Sequence, residues 1–315
     1  MPTISVVLVT CNGERWVSEQ AASMARQLRP PDEVLVCDDA SDDRTVEIAL
    51  AALAPLAEAV SVLRSEVRLG VTANVERGLA AATGDIIVLA DQDDLWRSDK
   101  LSAIEQWAMQ SAAGGMFSDG RIIDADGCPT GVTLWDRAGF SARARRRWSG
   151  DQLAELLRRP VATGAAMALR RSTLNLLLPL PRGDWHDYTA SLLLAATTGL
   201  VPCRKELIDY RLHGANLAGL GAERRRDRVL PTAANRENLA RQIDHLQAVS
   251  ERLRSAGHRA ASDRIGCRRE VMQRRMRLPA ARWKRLPGVV TLLVTRRYHG
   301  FGQGWASAAR DLLWR

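Results

Sequence analysis

Short apolar runs alternate with helix-period segments through the N-terminal half of the chain. Ile4 to Thr10 reads as a buried strand, Glu14 to Gln27 as a helix, and Glu33 to Cys37 as a second strand that closes on Asp38 and Asp39. A helix from about Asp43 to Ala54, a strand from Val60 to Arg64, a helix from Thr72 to Ala82 and the apolar run Asp85 to Ala90 continue the alternation. Unbroken apolar runs mark strands covered on both faces, and β-α-β-α order implies a parallel sheet flanked by helices, an α/β fold. Ligands of such sheets bind beyond the carboxyl ends of the strands. The unusual polar groups fall there: Thr10, Cys11 and Asn12 after the first strand, Asp38 and Asp39 after the second, Arg68 after the third, and Asp91 and Asp93 after the fourth.

The sequence Asp91-Gln92-Asp93-Asp94-Leu95-Trp96 gathers three carboxylates where a buried strand leaves its sheet. Residues two apart on an extended chain point the same way, so Asp91 and Asp93 can converge on one hard cation, which prefers oxygen ligands. A divalent ion held there can grip a diphosphate. The competing reading is local: these acids cap or precede the helix that starts near Asp99.

Four motifs in order favour the first reading. They are Ile4 to Glu14, Val36 to Asp43, Leu69-Gly70-Val71-Thr72-Ala73-Asn74, and Thr83-Gly84-Asp85-Ile86 running into the D-Q-D-D-x-W segment. Together they resemble the family 2 glycosyltransferases of GT-A fold, and the D-Q-D-D-x-W variant is similar to a bacterial rhamnosyltransferase-like branch. The resemblance extends through Ser118-Asp119, Thr163-Gly164, Trp185-His186-Asp187 and Tyr210-Arg211-Leu212-His213-Gly214-Ala215-Asn216, covering roughly residues 3–218.

The resemblance implies a nucleoside diphosphate sugar, dTDP- or UDP-linked, held by Thr10, Asn12, Glu14, Asp38, Asp39, Arg68, Asn74, Asp91 and Arg211. It implies a divalent cation, manganese or magnesium, on Asp93 and His213, with Asp91 as a further ligand. Asp187 is implied as the general base, and Thr163, Gly164, Trp185 and His186 line the acceptor side. Other readings stay open for several of these residues. Asp38, Asp42 and Asp43 also suit a helix cap, Arg211 a strand-end cation, His213 a structural histidine, and Trp185 and Tyr188 core aromatics. Three positions depart from the family pattern: Cys11 where an aromatic is usual, Arg68 where asparagine is common, and Trp185 placed ahead of the acid rather than after it.

Little else is required for inverting transfer. The acceptor hydroxyl must lose a proton while the leaving diphosphate gains charge, which one carboxylate and one metal can serve. No G-x-S-x-G suggests an acyl enzyme, and no G-x-G-x-x-G follows the first strand as a dinucleotide-binding dehydrogenase would need. A nucleotidyltransferase should open with a glycine-rich loop and a basic residue, which Thr10-Cys11-Asn12-Gly13 is not. A catalytically inactive carbohydrate-binding relative is the remaining alternative, and the joint presence of Asp91, Asp93 and Asp187 argues against it.

Charge divides the chain in two. Residues 219–315 hold 22 Lys and Arg against 8 Asp and Glu, a net +14, within an overall net charge of +9. The expected organisation is a GT-A domain over residues 1–218 and a basic, mostly helical extension over 219–315, with helices from about Arg224 to Ala256 and Ala261 to Arg277. Basic helices followed by Trp283, Trp305 and Trp314 suit an anionic membrane surface; nucleic acid is the less suited partner, because Arg224 to Arg277 lacks interleaved stacking aromatics and the extension any named motif, and a solvated helical cap is the third reading. Five scattered cysteines, a first strand that begins almost at once, and no apolar run of membrane-spanning length fit a cytoplasmic protein. The resemblance, joined to these features, implies an enzyme peripheral to the inner face of the cell membrane, acting on a lipid-linked glycan in surface polysaccharide synthesis.

Overall fold

The computed structural model describes residues 1–213 except 182 and 184, and residues 233–313 except 280 and 303. Gly214 to Asn216, the expected helical residues 224–232 and Trp314 lie outside the described residues. In chain order the elements are β1 (Ile4–Thr10), α1 (Val17–Ala25), β2 (Glu33–Asp38), α2 (Thr45–Ala52), β3 (Val60–Arg64), α3 (Val71–Ala81) and β4 (Ile86–Asp91). Next come β5 (Leu95–Trp96), α4 (Lys100–Gln110), β6 (Gly115–Ile123), β7 (Pro129–Thr133), α5 (Leu134–Ala138), α6 (Ala142–Gly150), α7 (Gln152–Arg158) and β8 (Met167–Arg170). The remainder are α8 (Leu174–Leu177), α9 (His186–Ala196), β9 (Leu200–Arg211), α10 (Ala233–Ser255), α11 (Arg259–Met276), α12 (Leu286–Val294), α13 (Arg297–Phe301) and α14 (Trp305–Leu313).

Two compact units result: a sheet unit of Met1–Phe140 with Ala162–Leu217, and a helical unit of Ser141–Val161 with Ala218–Arg315. The segment 141–161, carrying α6 and α7, thus groups with the C-terminal helices, which a simple division at residue 218 does not anticipate.

The sheet runs β3-β2-β1-β4-β8-β6-β9-β5, with β7 beside β6. From β3 to β4 every pairing is parallel, and the apolar runs that form these central strands are buried along their length. Beyond β4 the sheet becomes mixed. β8 is antiparallel to both neighbours, β6 and β9 pair in parallel, and two-residue β5 returns antiparallel to the end of β9. The carboxyl ends of β1, β2, β4, β6 and β9 therefore share one edge, and that edge carries the chemistry.

In the helical unit, Leu239, Ile243, Leu246, Val249 and Leu253 line one stripe of α10 and are buried, as is Ile265 of α11. Buried Ser250 and Ser262 hydrogen-bond across the α10 to α11 pair at 2.9 Å. Val271, Val289, Leu292, Tyr298 and Ala308 make a further core among α11 to α14. Asp311, fully buried, accepts two bonds from Arg275 at 2.7 and 2.8 Å and one from the Tyr298 hydroxyl at 2.6 Å. With α6 included, this unit carries 28 Lys and Arg against 10 Asp and Glu, a net +18; the sheet unit has 17 against 26, a net −9.

Candidate active site

Strand β4 delivers Asp91 to the carboxyl edge of the sheet, and the chain then turns through Gln92, Asp93 and Asp94 into β5. Ligand oxygens of Asp91, Asp93 and Asp94 lie within 4.8 Å of one another. The turn is secured from β9. The Arg211 backbone N–H donates to Asp94 Oδ1 at 3.0 Å, and its Nε donates to the Asp93 carbonyl at 2.9 Å.

Three carboxylates this close cannot all carry charge cheaply. Burial, then the neighbouring carboxylates of Asp93 and Asp187, pushes Asp91 up to about 7, while Lys100 opposes the shift. Asp94 is also raised well above the usual range by burial and by Asp93 and Asp91, and its Oδ2 is buried without a hydrogen-bond partner. Lys100 is 1% exposed, donates to the Ala165 carbonyl at 2.8 Å, and lies 4.1 Å above the Trp96 ring. Burial pulls it down to about 7 despite Asp94 and Asp91. An orphaned acceptor inside a cluster of oxygen ligands is what a hard divalent cation would satisfy, so the donor set fits manganese or magnesium.

Asp187 lies in the first turn of α9, where its Oδ1 accepts from the Tyr188 N–H at 2.6 Å. The Asp187 carboxylate contributes to the rise at Asp91, after burial and Asp93. Gly164 permits this approach. A Cβ there would meet His186 Nε2 at 2.7 Å and Asp187 Cβ at 3.7 Å, so the start of α9 seats on a glycine. Trp185, His186, Tyr188 and Thr163 are all partly exposed, which removes Trp185 and Tyr188 from the buried core.

The opposite rim is the loop after β1. The Gln92 side-chain amide accepts from the Cys11 N–H at 2.8 Å and donates to the Cys11 carbonyl at 3.0 Å. Asn12 adopts a left-handed φ of 47°, its N–H donating to Ser41 Oγ at 2.9 Å and its Oδ1 accepting from Asp42 N at 3.0 Å. Exposed Glu14 accepts from the Arg44 N–H at 3.3 Å. Arg68 is half exposed at the rim, 3.8 Å from Asp42.

Several residues implied as donor contacts hold the frame of the edge. Asp38 is fully buried and accepts from Thr10 Oγ1, Ser41 N and Ser41 Oγ, binding the ends of β1 and β2 to the following turn. Asp39 accepts from the Leu69 and Gly70 N–H groups at 2.6 and 2.9 Å, fixing the approach to α3. Asp43 accepts from Thr45 N at 2.9 Å and from Thr45 Oγ1 just ahead of α2, whose N-cap position, Arg44, carries no side-chain cap bond.

Asn74 is 2% exposed, with its amide donating to the Cys37 carbonyl at 2.6 Å. Arg211 is likewise 2% exposed, and its guanidinium donates to Asp93, Ala125 and Glu19. The guanidinium thereby braces the acidic turn. His213 does reach the cluster, with Nε2 2.7 Å from Asp93 Oδ2 and its ring stacked on Trp16 at 4.1 Å.

Sequence reasoning gave no role to Gln92 or Lys100, and marked Asp94 only as one of the three gathered acids. The signal for Lys100 was available: it stands four residues before buried Ile104, on the core face of α4.

A mixed α/β sheet with acids at the carboxyl end of its fourth strand defines the GT-A class of nucleotide-sugar transferases. Comparisons agree. The sequence profile of glycosyl transferase family 2 matches residues 5–176, more than half of the chain, and the protein belongs to that family. An uncharacterised glycosyltransferase of Nostoc sp. is 24% identical over 224 residues, 68% of this chain and 66% of that protein. The UDP-Glc:alpha-D-GlcNAc-diphosphoundecaprenol beta-1,3-glucosyltransferase WfgD of Escherichia coli is 26% identical, with 38% of this chain and 47% of WfgD covered. The matches thus span only part of these relatives' lengths. Among solved structures, S. aureus TarS 1–349 in complex with UDP-GlcNAc superposes with a TM-score of 0.60 at 14% identity, covering 98% of this chain and 88% of that one. The Pyrobaculum calidifontis mannosyltransferase PcManGT, in complex with GDP-Man and Mn2+, gives 0.52 at 18% identity, covering 98% and 79%. These two similarities concern the fold.

Proposed function

We propose that the chain is a metal-dependent inverting glycosyltransferase that moves a sugar from a nucleoside diphosphate to an acceptor hydroxyl. The observation that carries this reading is the crowding of Asp91, Asp93 and Asp94 within 4.8 Å, with Asp187 close enough to raise Asp91. Asp93 and Asp91 would hold the cation, with Asp94 behind them and His213 against Asp93. Such a cation, when bound, neutralises charge developing on the leaving diphosphate.

The chain's own residues supply the rest. Asp187 accepts the proton of the acceptor hydroxyl, and the Tyr188 N–H keeps its carboxylate oriented. A positioned base of this kind contributes about 10²–10⁴-fold to rate. Gln92, Asn12, Arg68 and Glu14 shape the nucleotide side, whereas Asp38, Asp39 and Asn74 keep the loops around it rigid. Thr163, Gly164, Trp185 and His186 form the acceptor side.

The donor is a UDP- or dTDP-sugar. WfgD is named for UDP-Glc and TarS 1–349 was solved with UDP-GlcNAc, which favours uridine; dTDP-rhamnose rests on the D-Q-D-D-x-W resemblance alone. WfgD is also named for a diphosphoundecaprenol substrate, which supports a lipid-linked acceptor in surface polysaccharide synthesis. No described helix is long and apolar enough to cross a membrane, so contact with such an acceptor at the inner membrane face would be peripheral. The test is a panel of nucleotide sugars screened for protection against thermal unfolding, with and without manganese. One donor should raise Tm only when the ion is present. Protection by no nucleotide sugar, or equal protection in chelator, would overturn the reading.

A further inference from the structure

We infer that α12 is a monotopic membrane-docking element, laid flat in an anionic lipid surface through a second apolar face. This deepens the proposed function, since it rests on the reading that the acceptor is lipid-linked. α12 has the sequence Leu-Pro-Gly-Val-Val-Thr-Leu-Leu-Val. One face is spent on the core through buried Val289 and Leu292, with Leu293 packed against them. The other is open. Leu286, Val290 and Val294 are 53, 44 and 77% exposed, and Trp283, in the turn before the helix, is 77% exposed. Positions 286, 290 and 294 are spaced by four, so they form one stripe along the helix, and 283 extends it by a further turn.

The flanks of the stripe are cationic. Lys284 lies over the Trp283 ring at 5.1 Å, and exposed Arg296 follows directly after the helix. A tryptophan and a lysine at one end of an apolar stripe suit the headgroup boundary, where an amphipathic ring and a long basic side chain both find partners. Length settles the orientation. Nine helical residues span about 14 Å against a hydrocarbon core of about 30 Å, so α12 cannot cross and must lie in the interface.

Charge selects the occupant. The unit that bears α12 carries +18, so a symmetric pairing of two copies through α12 would set +18 against +18, whereas an anionic bilayer is complementary to it. Burial of the stripe also adds a component that salt does not screen, which distinguishes this mode from attraction by basic residues alone.

The experiment uses the full chain and sedimentation with vesicles of phosphatidylcholine, with and without phosphatidylglycerol, at low and high salt. The protein should bind the anionic vesicles, and binding should weaken but persist at high salt. Val294→Asp, at a position too exposed to matter for the fold, and the combination Trp283→Ser with Val290→Ser should each weaken binding about tenfold or more at high salt. Both variants should keep the wild-type Tm and the same manganese-dependent nucleotide-sugar protection. Brominated lipid should quench wild-type fluorescence more than that of Trp283→Phe. Vesicle binding equal to wild type in all the variants, no binding by the wild type, or a wild-type dimer that Val294→Asp dissociates without any vesicle binding would each overturn the inference. Because nucleotide-sugar protection is read separately, loss of that signal with intact vesicle binding would instead strike the proposed reaction.

Discussion

The side-chain amide of Gln92 and the backbone of Cys11 exchange two hydrogen bonds, at 2.8 and 3.0 Å, so the acidic turn after β4 is clasped to the loop after β1. A Cβ on Gly13 would stand 2.1 Å from Gln92 Oε1, so the clasp also dictates a glycine two residues further on. Gln92→Ala should therefore loosen the loop and cost about 1–3 kcal/mol, since partly buried backbone groups lose their partners. Gly13→Ala should displace the same amide, and the double variant should cost less than the sum of the two. Urea unfolding of the four proteins checks this; full additivity would mean that the clasp contributes nothing.

Asp93 stands between the other acids and His213. Asp93→Ala is expected to abolish transfer and manganese-dependent nucleotide binding, measured by calorimetry, while the fold persists. Full activity of this variant in excess chelator would refute the assignment of the cation to the cluster.

Asp187→Asn keeps the size of the side chain but takes away its ability to accept a proton at neutral pH. Turnover should fall about 10²–10⁴-fold with donor affinity nearly unchanged. Survival of turnover within a few-fold, or collapse of donor binding, would place the base elsewhere.

His245 is 4% exposed on α10, and burial pulls it from 6.5 down to about 4. Its folded form resists protonation, so the stability associated with it is complete above the unfolded value and is lost as pH falls from about 6.5 towards 4. Between pH 7 and 4.5 this amounts to about 2–3 kcal/mol. Chemical unfolding of wild type and His245→Leu at the two pH values should show a smaller acid loss in the variant; equal losses would show that the imidazole is not the sensitive group.

The half of the sheet from β1 to β4 was legible because its inner strands β1, β2 and β4, buried on both faces, leave nearly unbroken apolar runs, while β3 lies at the exposed edge and was marked by its β-branched residues. Helix α1 starts at Val17 rather than Glu14, because Trp16 and Val17 both donate to the Gly13 carbonyl and the chain first has to turn. The mixed half was not legible. β8 sits between β4 and β6 although the chain visits α6 and α7 first, and those two helices join the other unit. Within the site, the acids that gather at a strand end were visible as a set, but their separate duties depend on partners distant in sequence. Asp38 and Asp91 look alike on paper. One meets Ser41 and Thr10 and is consumed by them, whereas the other faces the carboxylates of Asp93 and Asp187 and the ammonium of Lys100.

Those crowded carboxylates form a point of local frustration, where the sequence accepts an energetic conflict that the rest of the sheet must restrain. On the proposed function, relief would come from outside the chain. An ion that binds the folded site alone, present at a hundred times its dissociation constant, would stabilise the fold by about 2.7 kcal/mol. The melting temperature of the sheet unit thereby becomes a gauge of divalent ion supply, and ion starvation would register as loss of folded protein as well as loss of turnover.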